Sequence, residues 1–193
     1  MKKIQSGFTI LELLITIAII GILTSILFVA INPSAQTQKA KVAKTVSEMK
    51  AVKHAVSMYV LDTLKFPPDC RLNCTAATDP FLTNVGNVPG WRGPYIKDGL
   101  WNRKHAWGGH LGVFRWDFTG DGKDELWLIL DDDAPGTNSS DNSGQVPVEA
   151  LQAINDAVDT DTDLNGGEFF RGNSNPFAEQ EGAWRIYEIG QES

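Results

Sequence analysis

Gly7-Phe8-Thr9-Ile10-Leu11-Glu12-Leu13 opens an apolar run that continues to Ile31, and the 24 residues from Phe8 to Ile31 carry one charge, Glu12. A helix of that length reaches across the ~30 Å hydrocarbon core of a bilayer. A secretory signal core is shorter, roughly 7 to 15 apolar residues with no acid inside it. Length and Glu12 therefore point to a membrane-spanning segment rather than a signal cleaved near Ala35. The cost of placing a carboxylate at membrane depth, on the order of 2.5 to 3.5 kcal/mol, asks for a partner.

Glu12 stands four residues after Phe8. A cut between Gly7 and Phe8 would create a positive α-amine one helical turn from Glu12, or from the Glu12 of a neighbouring copy, and would satisfy both charges. Lys2, Lys3, Gly7, Phe8 and Glu12 together resemble the class III leader of the type IV pilin and type II secretion pseudopilin superfamily. The resemblance covers about the first thirty residues. It implies that a membrane prepilin peptidase cuts after Gly7 and N-methylates Phe8, that Glu12 guides self-assembly with other pilins or pseudopilins, and that an inner-membrane platform drives it. The charge rule does not fix topology, because Lys39, Lys41 and Lys44 flank the far end as Lys2 and Lys3 flank the near one. The leader resemblance places the N-terminus in the cytoplasm and the rest outside it.

The chain has 193 residues and a formal net charge of −7. Loss of Lys2 and Lys3 makes the 186-residue remainder −9. Its charge is polarised: 14 bases against 6 acids up to residue 116 give +8, and 18 acids against Lys123, Arg171 and Arg185 give −15 thereafter. That pattern favours attraction between the halves, or cation binding, over a nucleic-acid surface. Cys70 and Cys74 suit an oxidising exterior, where a disulfide closes Arg71-Leu72-Asn73. A C-x-x-x-C pair alone supplies too few ligands for zinc.

Beyond the membrane segment, Asn32-Pro33 predicts a kink or short interruption. Val42, Val46, Met49, Val52, Val56 and Val60 recur at steps of three and four, while Lys44, Ser47, Lys50, Lys53, His54 and Ser57 fall elsewhere. The spacing predicts an amphipathic helix ended by Pro67-Pro68. A continuous helix from Phe8 to Leu64 would span ~85 Å. The expected divisions are a cytoplasmic leader at 1–7, a transmembrane and assembly helix at 8–31, its amphipathic continuation at 32–65 and an extracytoplasmic head at 66–193. The fold class is α+β and pilin-like, a long N-terminal helix on a small antiparallel sheet with irregular, calcium-loop-like segments.

In the head, residues 66–101 are rich in Pro and Gly and predict turns. Gly90-Trp91-Arg92-Gly93-Pro94-Tyr95 and Ala106-Trp107-Gly108-Gly109-His110 are similar to Gly-Trp-x-Gly-Pro-Tyr and Asp-Pro-Trp-Gly segments of the major pseudopilins, with His105-Ala106 in place of Asp-Pro. The six Trp residues read as packing, with a carbohydrate-stacking platform as the functional alternative. Strands are expected at His110–Phe118, with Phe114, Trp116 and Phe118 on one face, at Leu126–Leu130, and at Trp184–Ile189. A helix after Pro147 would present Val148, Leu151, Ile154 and Val158, and Ala134–Gln145 reads as an exposed, mobile loop.

Between the first two strands, Asp117, Thr119, Asp121 and Glu125 occupy positions 1, 3, 5 and 9 of a calcium-type loop, with Gly122 at 6 and the Lys123 carbonyl at 7. Leu128 replaces the usual Glu at 12. This stretch resembles the calcium loop of FG-GAP and VCBS repeats, with Thr119 for Asn and Glu125 for Asp. A second, weaker set is Asp161, Asp163 and Asn165, with Asp131 and Asp133 as possible extra ligands. The expected cofactor is structural Ca2+. No nucleophile elbow, zinc helix or phosphate loop is present, and His54, His105 and His110 show no triad spacing, so no enzyme is expected. The sequence reads as a structural subunit of a secretion pseudopilus or pilus filament, first in the inner membrane and then periplasmic or at the cell surface. The alternative is a tethered calcium- or carbohydrate-binding module that never polymerises.

Overall fold

A computed structural model describes residues 7–31, 33–71, 73–117, 122, 124–133, 144–159, 163–164, 167–171 and 182–188. The chain divides into two compact units, Met1–Ala40 and Lys41–Ser193. Helix α1 (Ile10–Ile31) belongs to the first. Helix α2 (Pro33–Thr63) begins there, and its later turns belong to the second. Asn32, where an interruption is expected, lies outside the described residues.

Within the first unit, Ile10–Leu27 is long and apolar enough to cross a membrane, and none of it is buried. Its few hydroxyls are turned inward. Thr16 donates to the Leu13 carbonyl at 2.8 Å, Thr24 to Ile20 at 2.6 Å and Ser25 to Ile22 at 2.7 Å, so these groups demand nothing of a hydrocarbon surround.

In the second unit α2 buries Val46, Met49, Val52, Ala55, Val56 and Tyr59, and exposes Lys44, Ser47, Lys50 and His54, as the period of 3.6 requires. Val42 and Val60 are only half-buried; Tyr59 takes the place expected of Val60, and packs edge-on to Phe81 and Tyr95 at 6.1 and 5.6 Å. The helix stops at Thr63, before Pro67, because Leu64 adopts a left-handed conformation at φ 55°. Leu64 is 87% exposed, so its side chain contributes little there. Leu64→Gly should therefore raise stability by about 0.5–1 kcal/mol, the left-handed penalty less glycine's extra chain entropy, read as an upward shift of the urea midpoint.

Strands β1 (Leu111–Trp116), β2 (Glu125–Leu130), β3 (Phe169–Arg171) and β4 (Gly182–Glu188) form one antiparallel sheet in the order β1-β2-β4-β3. The architecture is α+β. Alternation divides the sheet between two cores: Leu111, Val113, Leu126, Leu128 and Leu130 join α2, and Phe114, Trp127, Ile129 and Ala183 form a smaller cluster. Trp116 ends β1 half-exposed, and Phe118 lies outside the described residues. Helix α3 (Val148–Val158) buries Ala150, Leu151 and Ile154, but Val148, placed on its apolar stripe by sequence, is exposed because it sits in the first turn. No helix or strand occurs among the described residues between Thr63 and Leu111. There Asp79, fully buried, accepts N–H groups from Phe81 at 2.8 Å, from Trp101 at 2.9 Å and from Leu100. The loop thus folds around a carboxylate.

Candidate functional site

Gly7 and Phe8 are exposed, Phe8 by 84%, and nothing lies within 4 Å of where a Gly7 side chain would begin. Thr9 donates its N–H to Glu12 Oε2 at 3.0 Å and its hydroxyl to the same oxygen at 2.9 Å; the Glu12 N–H returns to Thr9 Oγ1 at 3.2 Å. This is a capping box, and it satisfies otherwise orphaned donors at the start of α1. Both bonds fall on Oε2, leaving Oε1 without a partner among the described residues. Thr-x-x-Glu is a sequence-level signal for this arrangement, and Thr9 is the functional residue that reading for charge alone passes over.

Three acids of the acidic half, Asp131, Asp132 and Asp133, follow β2 and are 1%, 4% and 8% exposed. One carboxylate oxygen of each lies within 4.8 Å of the others. Asp131 Oδ1 accepts the Asp133 N–H at 3.0 Å, Asp131 Oδ2 accepts Arg71 Nε at 2.9 Å, and Asp132 Oδ2 is buried with no hydrogen-bond partner. An orphaned carboxylate oxygen beside two more carboxylates costs several kcal/mol unless positive charge meets it. The donor set is anionic oxygen throughout. It fits a hard divalent cation such as Ca2+ and not a zinc site.

The Trp107-Gly108-Gly109 turn holds this run in place. The His105 ring donates through Nε2 to the Asp131 carbonyl at 2.9 Å, since its Nδ1 accepts the Trp107 N–H at 3.2 Å. His110 donates its N–H to the Asp133 carbonyl, and Gly144 donates its own to the Asp132 carbonyl, at 2.8 and 2.9 Å. A side chain on Gly109 would begin 1.9 Å from the Asp131 carbonyl oxygen, so only glycine allows that approach. Burial drives the His105 pKa down to about 4, against the opposing pull of the Asp131 carbonyl and charge, and burial lowers His110 as well. Below pH 6.5 the unfolded chain takes up a proton that the folded chain refuses. With divalent cations chelated, stability should be full above pH 6.5 and fall by on the order of 3 kcal/mol as pH drops towards 4, measured as the urea midpoint against pH.

The other expected ligands are dispersed or lie beyond description. Asp117 Oδ2 accepts the Gly122 N–H at 2.9 Å, and Gly122 has the positive φ, 82°, that the turn requires. Glu125 is buried at the start of β2. Neither joins a close group of three ligands among the described residues, and Thr119, Asp121 and Lys123 lie outside them. In the second set Asp163 is exposed, while Asp161 and Asn165 lie outside the described residues, as does most of the loop expected over 134–145. Asp159, just before that set, closes the loop by accepting the N–H groups of Glu168 and Phe169 at 2.5 and 2.8 Å.

Cys70 and Cys74 are joined in a disulfide, and Cys70 exchanges backbone hydrogen bonds of 2.8 and 2.9 Å with Val113 of β1. Of the six Trp residues only Trp116 is exposed; Trp91, Trp101 and Trp107 pack against the main core, and Trp127 and Trp184 are buried. Among the described residues the tryptophans thus serve mainly as packing.

The family model described as a prokaryotic N-terminal methylation motif matches residues 2–28. The chain is 42% identical over 107 residues to the type II secretion system core protein G of Aeromonas hydrophila, covering 49% of this chain and 73% of that one. It is 34% identical over 110 residues to the protein of the same name from Klebsiella michiganensis, covering 56% and 72%. Against that of Xanthomonas campestris it is 30% identical over 139 residues, covering 72% and 87%. No solved structure matches the chain.

Proposed function

The chain belongs to the family of the type II secretion system core protein G, and from that premise we propose that it is a pseudopilin, a non-enzymatic subunit of the periplasmic filament of a type II secretion system. The observation that carries this reading is an apolar helix, Ile10–Leu27, with none of it buried, whose one charge is Glu12 and which is preceded by an exposed Gly7-Phe8. A membrane prepilin peptidase cuts after Gly7 and methylates the Phe8 amine; an inner-membrane platform then lifts the chain into the filament.

In a bilayer α1 is already out of water, so packing it against other copies gains little hydrophobic free energy. Charge is what changes. In the uncut chain Thr9 meets half of Glu12, and Oε1 is left for the Phe8 amine of its own or a neighbouring copy. That amine exists only after cleavage, so processing and assembly are coupled through one carboxylate.

Structural Ca2+ belongs to the same reading. Asp131, Asp132 and Asp133 would hold it, and the ion would supply the positive charge that the orphaned Asp132 oxygen lacks. Asp117 and Glu125, with Thr119, Asp121 and Lys123, remain a proposed second set, and Asp161, Asp163 and Asn165 a third. Calcium at a hundred times its Kd should stabilise the full-length chain in detergent by about 2.7 kcal/mol over chelator. An unchanged melting midpoint would exclude a calcium-stabilised head.

The filament itself is tested by expressing the chain with a prepilin peptidase and assembly platform, then shearing the cells. Fibres that carry this chain are expected by electron microscopy and immunoblotting. Processed chain that stays wholly in the membrane fraction would point instead to a tethered module.

A further inference from the structure

Arg71 lies inside the disulfide loop, sixty residues before Asp131 in the sequence. The loop cannot drift, because Cys70 is clipped to Val113 by two backbone bonds and a side chain on Gly112 would meet the Cys70 carbonyl at 3.3 Å and Arg71 Cα at 3.4 Å. From that platform the guanidinium crosses the Phe114 ring, 5.6 Å from its centroid, and Nε meets Asp131 Oδ2 at 2.9 Å. Asp131 is 1% exposed and the Arg71 side chain 29%, so water and salt reach the pair from the arginine side alone. The next residue, Asp132, keeps a buried oxygen without a partner.

We infer that Arg71 is the tethered counter-cation of the Asp131–Asp133 cluster, and that it competes with a divalent cation for Asp131. The inference rests on the calcium reading of that cluster. It gives the disulfide a task beyond cross-linking: it fixes where the resident charge stands. A cluster with a built-in cation folds when the metal is scarce, and for the same reason binds the metal less tightly than three bare carboxylates would.

The test uses the full-length chain in detergent micelles, with CaCl2 alone as the probe, and compares the native protein with Arg71→Gln and Arg71→Lys. Calcium affinity is read by isothermal titration, and melting is followed with calcium and with chelator. Arg71→Gln should bind calcium about tenfold more tightly, the factor set by one ordinary ion-pair interaction. It should also melt lower in chelator and recover with calcium. Arg71→Lys, which keeps the charge, should stay near the native affinity. Equal affinity in the native and Gln proteins would overturn the competition and leave calcium binding intact. Heat of binding in neither protein would overturn the calcium reading and the competition with it.

Discussion

Glu12→Ala should leave a folded, membrane-inserted and processed monomer, with filament recovery reduced by at least about a hundredfold. In the monomer the carboxylate contributes one capping box, and losing such a cap costs roughly 1 kcal/mol, too little to unfold a helix of 22 residues held by lipid. In the filament proposed above it would meet the positive Phe8 amine away from water, where breaking a charge pair by removing one partner costs about 3–5 kcal/mol per subunit. At 1.4 kcal/mol per factor of ten, that is a loss of roughly a hundredfold or more in each subunit's affinity. Glu12→Gln keeps an acceptor for Thr9 but no charge, so it should assemble as poorly as Ala if charge is what matters. Quantitative immunoblots of sheared and membrane fractions decide the point. Native yields from Glu12→Ala would remove Glu12 from assembly.

The second large effect lies in the head. Asp79→Ala leaves three N–H groups without their acceptor, those of Phe81 and Leu100, which are buried, and that of Trp101, which is partly buried. At 1–3 kcal/mol for each orphaned donor the loss is on the order of 4 kcal/mol, a large share of the 5–15 kcal/mol available to a domain. The head should lose its cooperative urea transition near neutral pH and become sensitive to protease, while α1 stays helical. Asn, which can turn one oxygen towards Leu100 and Trp101, should recover part of the loss. An unchanged urea midpoint for Asp79→Ala would mean that the loop from Phe66 to Trp101 does not depend on that carboxylate.

Periodicity made the long elements legible. The valines of α2 place themselves through their 3.6-residue period, and the unbroken apolar run of β2 through its length, since a short run with every residue buried suits an inner strand. Tyr59 was harder to read, since its aromatic partners Phe81 and Tyr95 are far along the chain in a stretch without regular structure. The three-residue strand β3 is too short to show a period and owes its existence to β4.

The acidic motifs illustrate a different difficulty. Spacing directed attention to Asp117–Glu125, where oxygens recur at every second residue. The described carboxylates that converge are instead three in a row, Asp131 to Asp133. Consecutive side chains diverge on a strand and converge only where the chain leaves it, and here the departure is enforced by Gly109, His105 and Gly144 from other parts of the sequence. Arg71 was hidden for the same reason: sixty residues separate it from Asp131. The Thr9-to-Glu12 bond is local, by contrast, and its Thr-x-x-Glu spacing was there to be read, but attention to the charge of Glu12 passed over Thr9.

The central claim is that this chain is a processed pseudopilin, and the most direct measurement is the mass of its N-terminal peptide, taken from the membranes of its host. The account predicts a chain that begins at Phe8 and carries one added methyl group on the amine, 14 Da above the unmodified residue as one CH2 requires. A chain that retains Met1, or one that starts after Ala35, would contradict it.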